Sequence, residues 1–164
     1  MNNTMIITEF INKDMIKIDC EFQNKDDVIE TLSSLLQKNG VIESIEGFTE
    51  AVRERESQTT TAVGFAIAIP HARSKYVLKP GIAIGRSKEF LWDIETEHPV
   101  SLIFLLAVPE QIEYPDYMKI LASISRMLVH ERFRNALMNA QDIDEFLSVI
   151  SDGERYLVNG NNKG

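Results

Sequence analysis

The chain has 164 residues, 44% hydrophobic and 26% charged, enough for one sizeable core and too few for two comfortable domains. Its 25 acidic against 17 basic residues give a formal net charge of −8, which argues against binding to nucleic acid or to anionic lipid, since both call for a basic surface. The single cysteine, Cys20, allows no internal disulfide, and its acidic neighbours Asp19 and Glu21 disfavour a reactive thiolate.

Residues 15–18 alternate weakly and predict a short first strand. Asn24 then reads as the N-cap of a helix, with Asp26 and Asp27 in the first turn, where the helix dipole favours acids. Val28, Leu32, Leu35 and Leu36 recur at helical spacing, and Asn39-Gly40 supplies the stop. A second helix over 45–56 should bury Phe48 and Val52. Three apolar runs, at 65–69, 82–85 and 100–108, read as strands, the last of them buried on both faces. Pro70, Pro80-Gly81 and Pro109 punctuate their ends.

The C-terminal third is helical. Pro115 suits a first helical turn, after which Tyr117, Leu121, Ile124 and Leu128 line one face. Phe133 and Leu137 mark a short helix, and Asp142 with Glu145 resembles a capping box opening a last one. This order predicts one α/β domain over 1–152, a three-layer α/β/α arrangement with a central mixed sheet flanked by helices. A polar tail follows at 153–164, disordered from Asn159. There is no basic-then-apolar leader, and the longest apolar run, 100–109, is far short of the ~20 residues a bilayer span needs. A soluble, cytoplasmic protein without membrane insertion is the expectation.

Of the three histidines, His98 sits on a charged loop and His130 at a helix junction, where a solvent-facing or capping role is the commoner explanation. His71 directly follows the expected 65–69 strand and Pro70, a place where a sheet fixes a side chain and a loop leaves it reachable. From these residues alone, a reactive imidazole and an ordinary loop histidine are equally good readings. A metal site fails because no second histidine or cysteine lies at ligand spacing from His71. No G-x-S-x-G, G-x-x-x-x-G-K-[ST] or G-x-G-x-x-G motif occurs, so neither a serine hydrolase nor a nucleotide site is indicated, and no cofactor is expected.

Residues 55–71, running from Arg55-Glu56 through Thr61 and Gly64 to Ile67-Ala68-Ile69-Pro70-His71, resemble the phosphorylation segment of fructose/mannitol-type enzyme IIA domains of the sugar phosphotransferase system. The likeness extends over about residues 5–150, through the strand after Pro80, Trp92, the 100–109 strand and the helix after it. It implies a phosphotransferase that accepts phosphate on His71 from the phosphocarrier protein HPr and passes it to a separate IIB component of a sugar permease. It further implies phosphate stabilisation by Arg55, with Thr61, Gly64 and Tyr117 as neighbours of the phosphate site. Tyr117 stands where the family commonly has a second histidine; its hydroxyl can donate to a phosphoryl oxygen but carries no positive charge. Ala72, Val63 and Phe65 are expected to form a partner-facing patch around His71. The alternative is a regulatory IIA-like module whose His71 phosphorylation state controls binding to a protein partner.

Overall fold

The computed structural model describes residues 7–161, with side chains over 7–157. The chain forms two compact units, one made of Asp14–Gln111 and one joining the N-terminal segment to Ile112 and the residues after it.

The first unit contains a mixed sheet of six strands, β1 (Ile16–Cys20), β2 (Ala62–Gly64), β3 (Ile67–Ala68), β4 (His71–Ser74), β5 (Gly81–Asp93) and β6 (His98–Pro109). Their spatial order is β1-β5-β6-β3-β2, with β4 also paired to β6. β1 runs parallel to β5, β5 antiparallel to β6, and β3 and β4 parallel to β6. Residues 102–108 of β6 are all buried, which accounts for the unbroken apolar run of the sequence.

Two helices accompany these strands, α1 (Lys25–Lys38) and α2 (Ile45–Gln58). The Asn24 side chain accepts from the Asp27 N–H, as the cap position predicts, and Gly40 closes α1 at a φ of 73°. Val28, Ile29, Leu32 and Leu36 are 0% exposed, each contributing about 1.5–3 kcal/mol by burial. Gly85 permits the close approach to β5, since a Cβ there would lie 2.9 Å from the Phe22 ring and 3.5 Å from Leu32. α2 is capped by the Ser44 hydroxyl on the Gly47 N–H, and it packs beside β4.

Residues 65–69 do not form the expected strand. Phe65 and Ala66 adopt φ of 57° and 62° and make the two-residue turn of a β2–β3 hairpin. Positive φ at both central positions matches the twist of a hairpin and is normally supplied by Asn-Gly, so Phe-Ala gave no turn signal. β3 and β4 share one register along β6, Ile67↔Leu102 and Ala68↔Ile103 continuing as His71↔Leu106. They are one strand path interrupted at Ile69-Pro70, because proline has no N–H to give to a ladder. The Pro70 carbonyl still accepts from Leu106 N–H at 3.0 Å. His71 therefore opens the second half of a strand path rather than a loop.

The second unit is helical, with α3 (Tyr114–Leu128), α4 (Glu131–Asn139) and α5 (Ile143–Asn161). Ile120, Ile124, Met127, Phe133, Leu137, Phe146 and Ile150 are among its buried side chains on these helices. Asp142 caps α5 by accepting from the Glu145 N–H at 2.8 Å, and Glu145 accepts from Gln141 N–H, so the capping box closes one residue further back than its usual form. α5 continues through Asn161, past the point where the sequence suggests a polar, disordered tail. Within that stretch Glu154 is buried and accepts from the Thr8 N–H at 2.9 Å and the Thr8 hydroxyl at 2.6 Å. Residues 162–164 lie outside the described residues.

Candidate functional site

The end of α2, the β2–β3 hairpin and the start of β4 converge around His71. Along a strand, successive carbonyls point to opposite sides, and Pro70 turns its own toward β6. The Ile69 carbonyl therefore faces away from β6, and the His71 ring takes it up, with Nδ1 2.8 Å from the oxygen. A carbonyl oxygen only accepts, so Nδ1 carries the proton, and the neutral ring keeps its in-plane lone pair on Nε2. His71 is 8% exposed, so it is nearly buried without being sealed in.

Burial is the main influence holding the His71 pKa below the ordinary histidine value. The Ile69 bond works against that, the positive charge of Arg55 reinforces it, and the negative charge of Glu56 opposes it. Arg55 thus bears electrostatically on the ring. It is half-buried at the C-terminal end of α2, where its Nη1 donates to the Thr59 carbonyl at 2.8 Å.

Thr61 is 3% exposed, and its hydroxyl donates to Glu56 Oε1. Gly64 precedes the hairpin turn at a φ of 94°, with open space where a Cβ would stand. Tyr117 belongs to α3 in the other unit, 7% exposed, its ring edge-on to Tyr114 at 6.2 Å. Ala72, expected on a partner-facing surface, is instead buried within β4, because β4 is laid against β6 and α2. Val63 and Phe65, at the hairpin, are 54% and 62% exposed.

The sequence reading gave no role to a polar cluster beside this site. Glu56 lies on the α2 stripe of Phe48 and Val52, four residues further on, and points inward at 8% exposed. Its Oε2 accepts from Lys25 Nζ at 3.2 Å, Trp92 Nε1 at 3.3 Å and the Thr61 N–H at 3.4 Å. Lys25 also reaches Asp93 at 2.8 Å, and Asp93 accepts from the Thr60 hydroxyl. Burial disfavours the charge of Lys25, but hydrogen bonds to the two carboxylates outweigh it and raise its pKa. Lys25, Glu56, Thr60, Trp92 and Asp93 line part of a cleft of about 880 Å³ between the ends of α1, α2 and β5. The signal for Glu56 was present in the sequence as a carboxylate continuing an apolar helical stripe.

The other histidines make local contacts. His98 Nδ1 lies 2.9 Å from the Thr96 hydroxyl and 3.2 Å from Asp93. His130 occupies the N-cap position of α4 but makes no side-chain cap; its ring packs edge-on against Phe133 and Tyr156. Among the described residues no cluster could hold a metal ion, and no helix is long and apolar enough to cross a membrane.

His71 thus stands on a strand with its Nδ1–H held by the Ile69 carbonyl and the positive charge of Arg55 acting on its ring. The chain matches, over residues 9–153, the family described as phosphoenolpyruvate-dependent sugar phosphotransferase system, EIIA 2, and it belongs to that family. It is 35% identical over 129 residues to the PTS system fructose-specific EIIA component of Haloferax volcanii, covering 78% of this chain and 83% of that protein. It is 34% identical over 153 residues to the PTS system fructose-specific EIIABC component of Bacillus subtilis, covering 92% of this chain. It spans only 24% of the length of that relative. Among solved structures, nitrogen regulatory protein IIA-Ntr from Neisseria meningitidis superposes with a TM-score of 0.79 at 26% identity, over 88% of this chain and 98% of that one.

Proposed function

We propose that this chain is a cytoplasmic phosphoryl carrier whose His71 takes a phosphoryl group from phospho-HPr and passes it to a IIB component of a sugar permease. The observation that carries the reading is the His71 Nδ1–H bond to Ile69, which assigns the nucleophilic lone pair to Nε2 while Arg55 supplies positive charge nearby. In the first step the Nε2 lone pair attacks phosphorus, the donor's N–P bond breaks, and its electron pair returns to the donor imidazole. Transfer through a loose transition state needs alignment and charge stabilisation more than covalent help from the protein. Arg55 fits that need with a planar, permanently charged fork for phosphoryl oxygens.

Thr61, its hydroxyl engaged by Glu56, and Gly64, which shapes the hairpin, are the neighbours of the phosphate site. Val63 and Phe65 offer the apolar contacts for short-lived partner docking. The carrier reading is preferred to the regulatory one because both sequence relatives compared above are sugar-specific components, and the name of one joins A to B and C in a single chain.

The test is intact-mass analysis after incubation with phosphoenolpyruvate and the general phosphotransferase proteins, followed by addition of candidate IIB proteins. One phosphoryl group should appear, be absent from His71→Ala, and pass on to a IIB partner. Phosphorylation with no IIB able to accept would favour the regulatory role.

A further inference from the structure

Glu56 is a buried carboxylate at the edge of the site, and no step of phosphoryl transfer as described above uses it. Four donors converge on it, namely Lys25 Nζ, Trp92 Nε1, the Thr61 N–H and the Thr61 hydroxyl. A carboxylate so heavily engaged is fixed in place, and it fixes Thr61 in turn through both the main chain and the side chain. The Thr61 carbonyl then accepts the Ile69 N–H at 3.0 Å, which β6 does not take up. Ile69 in its turn presents the carbonyl that receives His71 Nδ1 at 2.8 Å. The series runs from the last turn of α2, across the β2–β3 hairpin, to the imidazole.

We propose that Glu56 is a positioning residue for phosphoryl transfer, acting through Thr61 and Ile69 to lock the His71 ring in its Nδ1–H tautomer with Nε2 presented for attack. The inference rests on the reading of His71 as the phosphoryl acceptor. It explains why a carboxylate occupies the apolar stripe of α2, where a leucine would otherwise complete the pattern of Phe48 and Val52. It also explains how Ile69 holds its place beside a proline that interrupts the strand path. Ile69 is anchored from the hairpin side, by Thr61, instead of by the β6 ladder. The negative charge of Glu56 also reaches the ring, partly offsetting the opposite influence of Arg55.

The experiment measures the ring tautomer and the transfer rate separately. Nitrogen-15 chemical shifts of the His71 ring report the tautomer, and quenched-flow labelling by phospho-HPr reports the rate of acceptance. In the native protein the neutral ring should be entirely Nδ1–H. Glu56→Gln, and the milder Thr61→Val that removes only the hydroxyl, should each bring in the Nε2–H tautomer and slow acceptance about tenfold or more, since small misplacements of a reacting group are costly. Thr61→Ser, which retains the hydroxyl, should restore both readouts. Folded variants with lowered melting temperature but an unchanged Nδ1–H ring and native rate would overturn the proposal, leaving Glu56 a purely structural residue. Should Glu56→Gln fail to fold, Thr61→Val decides the matter alone. Absence of labelling in the native protein would count against the carrier reading, whereas the tautomer measurement would still judge the role of Glu56.

Discussion

The Nδ1–H of His71 donates to the carbonyl of Ile69, two residues back along the same strand path, at 2.8 Å. Because Pro70 lies between them, the direction of that carbonyl is set by a residue with a fixed φ and no donor of its own. Phosphate should therefore be found on Nε2. Nitrogen–phosphorus couplings in the phosphorylated, nitrogen-15-labelled protein should assign it there, and coupling to Nδ1 would contradict the geometry. His71→Asn should keep the circular dichroism spectrum and lose all labelling.

The pH behaviour of His71 follows from its lowered pKa, caused first by burial and then by Arg55. In the unfolded chain the ring takes a proton at about pH 6.5, whereas the folded ring does so only at lower pH. Between those two values the unfolded state binds the extra proton. His71 thus costs nothing above about pH 6.5 and withdraws stability as pH falls through that window. An NMR titration should place its midpoint below that of an ordinary histidine. The rate of phosphoryl acceptance should stay level from neutral pH upward and fall only when the folded ring becomes protonated.

Arg55 has two separable effects. Replacing it by alanine should slow acceptance from phospho-HPr by on the order of 10²-fold, the usual cost of removing one preorganised charge-stabilising donor. The same change removes a positive charge acting on the ring, so the titration midpoint of His71 should move up. Arg55→Lys should hold the midpoint near its native position while recovering only part of the rate, because an ammonium lacks the planar fork. A midpoint that does not move in Arg55→Ala would place the guanidinium too far away to assist.

The parts of the fold written in side-chain periodicity were legible in the sequence. Asn24 capping α1, the α1 stripe at Val28, Leu32 and Leu36, and the buried β6 run are local patterns that the structure repeats. The hairpin was not legible, since Phe65-Ala66 carries none of the usual turn residues and sits inside an apolar run. Its geometry is imposed by neighbours, with the Ala66 carbonyl accepting from both Ser101 and Leu102 of β6. The Glu56 cluster was hidden for a different reason, because Lys25, Thr61 and Trp92 come from distant parts of the chain and meet only when α1, α2 and β5 are assembled. His71 and Arg55 stood out through a family resemblance. The residues that position them depend on tertiary structure, which no local window of sequence contains.

The hairpin itself offers a test that separates stability from docking. An alanine held in left-handed backbone costs roughly 1–2 kcal/mol, and a glycine there returns about 0.4–1 kcal/mol of that in lost chain entropy. Ala66, at a φ of 62°, should therefore gain about 0.5–1 kcal/mol on replacement by glycine, read as a higher denaturation midpoint with an unchanged m-value. Phe65, 62% exposed in the same turn, is the position at which docking is tested. If the tip meets the phosphoryl donor, Phe65→Ser should raise the KM for phospho-HPr several-fold with kcat preserved, because an apolar contact made equally in the encounter and the transition state affects binding alone. An unaltered KM in Phe65→Ser would place the docking surface elsewhere on the molecule.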